Sequence, residues 1–339
     1  MRRIAHAVGL VVVMAVLTGM FTLIHPVPAE AHIVGTGGSP TDYRTTVTAM
    51  RPAVSTVTVT VGLGGQWVRV TNQGAAAIVV RGYQGEPFLR LSGNRVQVNE
   101  LSETAAKTVQ TQRAVAADPA AAPRWAQLQD GDSATWTDAR ITAPSGSGPA
   151  SMSWTLPLVV DGQQVVVAGT TDRVPPPSPW PWLAALALIG IAVAAIGWTQ
   201  HWRRPMAAAV TAGILAFVAH VLGTGFAPQQ NGPVFGWVGV GLVAGFSLLI
   251  GAVAVRSTLR RSQSAPDRLV TVGAMVLILA ATDITVLWNS QLPFAGLAAL
   301  DRGLTVLAYA IALGLIVAGV RLVRVARLQS AAVAAQSGE

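Results

Sequence analysis

The sequence predicts a membrane protein in two parts: an exterior antiparallel β-sandwich followed by a five-helix transmembrane α bundle. Three observations carry this reading. First, 52% of the 339 residues are hydrophobic and 11% are charged, with mean hydropathy +0.51; soluble domains carry about 25% charged residues. Second, residues 32–174 consist of short β-rich runs separated by Gly, Asn, Asp and Pro. Third, residues 182–323 contain apolar segments of about the 20 residues that a helix needs to cross the hydrocarbon core.

The N-terminal residues 1–31 have the order of a secretory signal. Arg2 and Arg3 precede an apolar stretch over 8–24, and Ala29, Glu30 and Ala31 form a small-residue cleavage site. Cleavage there leaves His32 as the mature N-terminus. An uncleaved signal anchor is the alternative, because the apolar stretch is nearly long enough to span.

Residues 32–174 then read as an exported β-sandwich. Strands are expected at 45–50, 55–61, 67–71, 76–81, 88–91, 95–98, 133–137, 152–160 and 164–168. The run 55–61 alternates Thr with Val, the period of a half-buried strand. Gly62, Leu63, Gly64 and Gly65 supply one hairpin connection, and Asp161-Gly162 supplies another. Many short strands in this length suggest two packed antiparallel sheets. Residues 103–122 are rich in Ala, Thr and Gln and are expected to form a long surface loop, with at most one helical turn.

Residues 175–181 form a Pro- and Trp-rich linker, where closely spaced prolines favour a stiff extended chain. Trp180 and Trp182 sit where the chain would enter the bilayer, the level that indole rings prefer. Five spans are expected at 182–199, 206–226, 234–255, 269–288 and 304–323, with a tail over 324–339. The joints are unequal. Arg203, Arg204, Arg256, Arg260, Arg261, Arg268, Arg321, Arg324 and Arg327 fall on one side, and Arg302 alone on the other. The positive-inside rule puts the nine in the cytoplasm and residues 32–174 outside, the same sidedness that the signal segment implies. The expected location is therefore the cell membrane, multi-pass, with a cytoplasmic C-terminus.

This distribution also disposes of one reading of the net charge of +8. Residues 32–179 hold eleven Arg and Lys against ten Asp and Glu, so no basic face is available for nucleic acid. The excess charge sits in the short joints, where it orients helices and meets membrane lipid. The absence of Cys excludes disulfides, thiolate metal sites and thiol nucleophiles.

Few residues have the means for chemistry. Ionisable groups within membrane spans are functional hypotheses by default, and His220 and Asp283 fall at the same expected depth on two spans. They form a candidate intramembrane pair that would relay a proton, help bind an ion, or lock the bundle. Haem is disfavoured because the other candidate, His201, lies at the opposite end. His32 offers an α-amine and an imidazole that together chelate copper, but the exterior domain holds no further His. Paired carboxylates occur at Glu100 with Glu103 and at Asp130 with Asp132; the run Asp130-Gly131-Asp132-Ser133 reads as turn chemistry. Gly35, Gly37 and Gly38 are not followed by a phosphate-loop pattern. Gly241 and Gly245 read as a small-residue helix-packing face. In the polar run 81–90, Tyr83, Glu86 and Arg90 form a candidate docking loop between two strands. No catalytic residue and no organic cofactor is indicated.

Residues 35–43, 82–90, 175–182 and 288–293, taken in order, resemble an uncharacterised family of exported multi-pass membrane proteins of high-GC Gram-positive bacteria. That resemblance implies the architecture and no established activity. Related sequences are His-rich in the segment matching 136–140; here Thr137 and Ala139 stand in those places. The exterior domain also bears a loose likeness to copper-resistance proteins of the C type. The expected function is a non-enzymatic, membrane-anchored binding or assembly module acting on another cell-envelope protein. Two alternatives are copper handling through His32 with the His220/Asp283 pair, and a small transporter.

Overall fold

A computed structural model of the chain describes residues 38–108, 117–144, 148–227 and 234–336. The expected signal segment over 1–31 and His32 lie outside the described residues. The chain divides into a β unit, Pro40–Pro175, and a helical unit that holds Pro176–Glu339.

The β unit contains ten strands: β1 (Tyr43–Arg51), β2 (Val57–Val61), β3 (Val68–Asn72), β4 (Ile78–Arg81), β5 (Pro87–Ser92), β6 (Arg95–Asn99), β7 (Trp125–Asp130), β8 (Ser133–Trp136), β9 (Ser151–Val160) and β10 (Gln163–Arg173). A short helix α1 (Glu103–Thr108) follows β6, in the stretch expected to be a loop with a helical turn. Pairing is antiparallel throughout. One sheet has the order β1-β10-β9-β4-β5-β6-β7 and the other β2-β3-β8.

Alternation decides which side chains go inside. Val68 and Val70 of β3 are fully buried, whereas Arg69 and Thr71, which alternate with them, are only half-buried. Val68, Val70 and Trp136 share one buried cluster with Ile78, Phe88 and Leu156 of the larger sheet. Phe88 and Trp136 meet edge to face, with centroids 5.7 Å apart, and tie the two sheets together. Asp161 and Gly162 both have positive φ, 49° and 79°. That is the twist-matched two-residue turn, and it sets the register Val160↔Gln163.

The helical unit contains α2 (Trp180–Ile196), α3 (Arg203–Gly225), α4 (Val234–Leu259), α5 (Ala265–Leu279) and α6 (Ala298–Gln336). Among the described residues, three helical stretches are long and apolar enough to cross a membrane: Arg203–Gly225, Val238–Leu259 and Ala298–Val333. Helix α2 is apolar but only 17 residues long. The segment expected at 269–288 is broken: α5 ends at Leu279, and a 3-10 turn occupies Asp283–Leu287. The last helix begins at Ala298, not at 304. Its Asp301 lies in the first turn, where a negative charge suits the helix dipole.

Helix α6 packs on α2, α3 and α5. A Cβ at Gly314 would collide with Val193 of α2, and one at Gly273 of α5 would collide with the Ala312 carbonyl. These positions let the backbones approach closely, as small residues do in membrane helix packing. Among the described residues nothing stands within 4 Å of the Cβ position of Gly241 or Gly245, so neither makes such a contact there.

Candidate functional site

The break after α5 places Asp283 against α3 and α6. His220 of α3 is 5% exposed and Asp301 of α6 is 1% exposed. His220 Nδ1 lies 2.6 Å from Asp301 Oδ1, and Nε2 lies 3.2 Å from Asp283 Oδ2. The Thr305 hydroxyl stands 3.3 Å from Nδ1. The expected pair is thus a three-membered cluster, an imidazole bridging two carboxylates.

The elements that hold the cluster all lead to α6. Asp301, Thr305 and Tyr309 are spaced i, i+4, i+8 and lie along one face of that helix. The Tyr309 hydroxyl donates to the Ala280 carbonyl at the end of α5. Arg302, 8% exposed, donates to the carbonyls of Val286 (3.0 Å) and Asn289 (2.6 Å). Non-helical backbone survives among membrane spans where protein groups take up its freed carbonyls, and these two side chains do so. Counting from Arg203, His220 lies about 26 Å along α3 at 1.5 Å per residue. The cluster therefore sits toward the arginine-poor end of the helices.

Hydrogen-bond chemistry limits the states of the cluster. Both ring nitrogens donate only in the imidazolium form; with a neutral ring, one carboxyl group must itself carry a proton. Two carboxylates, one imidazolium and the Arg302 guanidinium sum to zero charge, which matters where unpaired charge is costly. The carboxylates lie off opposite edges of the ring, so they do not converge with one nitrogen on a common point. Among the described residues no group of three or more His, Asp or Glu is arranged to hold a metal ion. The Asp283 side chain is 17% exposed and that of Asp301 is 2% exposed, so the cluster opens at the Asp283 end. Asp301 was missed in sequence because 289–303 read as a loop. The i, i+4, i+8 spacing with Thr305 and Tyr309 was the signal that would have found it.

The candidate docking loop turns out differently. Glu86 is 3% exposed and does not face solvent. Its Oε1 accepts from the hydroxyls of Ser102 and Thr104, each at 2.8 Å, and from the Thr104 amide at 3.1 Å. Its Oε2 accepts from the Gln84 amide at 2.9 Å. Burial pushes the Glu86 carboxyl up, but these donors outweigh it and hold its pKa below the usual value. Glu86 thus brackets the β4–β5 turn to the start of α1. The Tyr83 hydroxyl accepts from the Ala139 amide at 3.0 Å, and the Arg140 guanidinium lies over its ring at 5.1 Å. Arg90 donates to Gln97 at 2.8 Å and stacks on Trp125 at 4.9 Å.

The segment 136–140 is closed around a fully buried Asp138. Asp138 accepts from Arg140 at 2.7 and 2.9 Å and from the Trp136 indole at 3.1 Å. Burial raises the Asp138 pKa, and the Arg140 guanidinium more than reverses this, leaving it below the ordinary value. Arg140 also donates to the carbonyls of Arg81 and Gly82. The other carboxylates have separate duties. Glu100 pairs with Arg124 at 2.8 Å and Glu103 with Lys107 at 2.6 Å. Asp130 and Asp132 flank the turn at Gly131 that leads from β7 to β8, with Gly131 at φ 127°. No protein-family model, curated protein or solved structure matches the chain.

Proposed function

We propose that this chain is a proton-responsive membrane protein: an exported binding or assembly module, non-enzymatic, whose helices carry a protonation centre at Asp283, His220 and Asp301. One observation carries the reading, the imidazole of His220 lying between two carboxylates among membrane-long helices. A proton added at Asp283 reaches Asp301 by ring transfer, in at Nε2 and out at Nδ1. The Asp301 end is closed, which favours storing a proton over conducting one. The nine arginines at one side support a cytoplasmic C-terminus, five crossings and an exterior β unit. Outside, the β unit would meet another component of the cell envelope.

The test is infrared spectroscopy of the full chain in lipid nanodiscs across about pH 4 to pH 10, a range that brackets ordinary carboxyl and imidazole titration. A carboxylic-acid band that grows on acidification and is lost in Asp283→Asn or Asp301→Asn is expected. No titrating band assignable to either aspartate refutes the proposal.

A further inference from the structure

The end of the helical unit away from His220 gathers like charge without neutralising it. Arg203 and Arg204 open α3, Arg256 lies in the last turn of α4, and Arg260 and Arg261 follow that turn. Arg268 lies near the start of α5, and Arg321, Arg324 and Arg327 lie on α6. Three hydrogen bonds show that these are one end of the unit. Arg203 donates to the Thr258 carbonyl, Arg268 to that of Val253 and Arg321 to that of Gly197. Asp267 is the one carboxylate at this end among the described residues, and no salt bridge joins it to any of the nine. Arg204, Arg256, Arg260 and Arg261 are exposed.

Arg261 adds an independent observation. It closes the C-terminus of α4 in the left-handed region, with φ 58°, and the next amide, Ser262, bonds back to the Ser257 carbonyl at 3.0 Å. Glycine is the residue that takes this position without steric cost. An arginine here strains the backbone, and Arg203 already supplies a cation to this helix end through the Thr258 carbonyl, so a second charge gains little within the fold. A ligand that uses the charge reverses that balance.

The surroundings select the ligand. Arg203 stacks on Trp202 at 4.6 Å and Arg321 on Trp198 at 4.8 Å. Trp198 is 56% exposed. Indoles at the end of a membrane helix mark the headgroup level. Guanidinium groups bind phosphate oxygens in a bidentate fashion. We infer that the arginine patch centred on Arg261, with Arg204, Arg256 and Arg260, binds the phosphate headgroup of an anionic phospholipid in the membrane that the helices cross.

The experiment follows thermal unfolding of the full chain in neutral detergent, with phosphatidylglycerol, phosphatidylcholine or inorganic phosphate added. Phosphatidylglycerol is expected to raise the wild-type melting temperature by about 3 °C or more, roughly 1 kcal/mol of binding linkage, and the other two additives are not. Arg261→Gly separates folding from binding: it should match or exceed wild type without lipid and lose at least half of the phosphatidylglycerol shift. Arg260→Gln, an exposed change, should lose part of the shift at an unchanged baseline. A full shift in both variants overturns the inference. So does an equal shift with phosphatidylcholine or inorganic phosphate.

Discussion

Replacing Asp301 by Asn changes one oxygen for a nitrogen and keeps the shape of the side chain. The charge it removes is 1% exposed and lies against a ring that is 5% exposed. Removing one partner of a buried ionic set costs about 3–5 kcal/mol, because the remaining charge is left uncompensated. Asp283 is the more open carboxylate, and screening by water brings Asp283→Asn down to about 1–2 kcal/mol. At roughly 2–4 °C per kcal/mol, Asp301→Asn should lower the melting temperature in detergent by about 6–20 °C, and Asp283→Asn by about 2–8 °C. The triple variant Asp283→Asn, Asp301→Asn, His220→Gln leaves the cluster itself uncharged and strands only the Arg302 guanidinium, which keeps its carbonyl acceptors. It should lose less stability than the three single changes together, which is the coupling expected of groups in contact. The assay is thermal unfolding of each variant under one set of detergent conditions. An Asp301→Asn effect below about 0.5 kcal/mol, the level of an uninvolved surface change, refutes the account of the cluster. Strict additivity across the four variants refutes it as well.

Three further outcomes are expected. The folded-state pKa values of Glu86 and Asp138 are depressed. Their contribution is complete above the unfolded values of about 4 and disappears as pH falls through the folded ones; Glu86→Gln should therefore unfold earlier at neutral pH and converge with wild type in acid, followed by tryptophan fluorescence. Arg140→Gln strips the guanidinium from a fully buried Asp138 and should cost about 3 kcal/mol or more, with Arg140→Lys recovering only part because the two-pronged contact is lost; chemical denaturation reads both. Because the chain has no native Cys, Ser153→Cys in β9 and Ser330→Cys in α6 report sidedness cleanly: an impermeant thiol reagent on intact cells should label the first and spare the second, and the reverse pattern overturns the orientation.

The sequence revealed most clearly those elements whose pattern is local. The Thr/Val alternation of 55–61 and the Asp161-Gly162 turn each report a structure formed within a few residues. Strand β7 escaped notice because it is an edge strand: from Gln127 to Asp130 every residue is exposed, so no alternation is imprinted on it. The break after Leu279 is invisible to hydropathy, since Thr282 and Asp283 are diluted by the apolar residues around them. What holds the break together, Arg302 and Tyr309, arrives some twenty residues later. Glu86 shows the same limit. Its run reads as a polar loop, and only the fold brings Ser102 and Thr104 over its carboxyl group. Conversely, His220 and Asp283 could be singled out from type and depth alone, because charge inside a membrane span is rare enough to be informative.

Helix α6 runs unbroken for 39 residues, about 58 Å, roughly twice the thickness of the hydrocarbon core. It contains no proline, the commonest cause of a sharp kink. Mechanically it is a single beam. One end carries Asp301 and Arg302, and Arg321, Arg324 and Arg327 lie about 30–39 Å further along. A tilt of about 5° at the carboxylate end displaces the far tip of such a beam by about 5 Å. These two chemically distinct stretches therefore share one rigid-body motion, and whatever repositions the first is felt at the second.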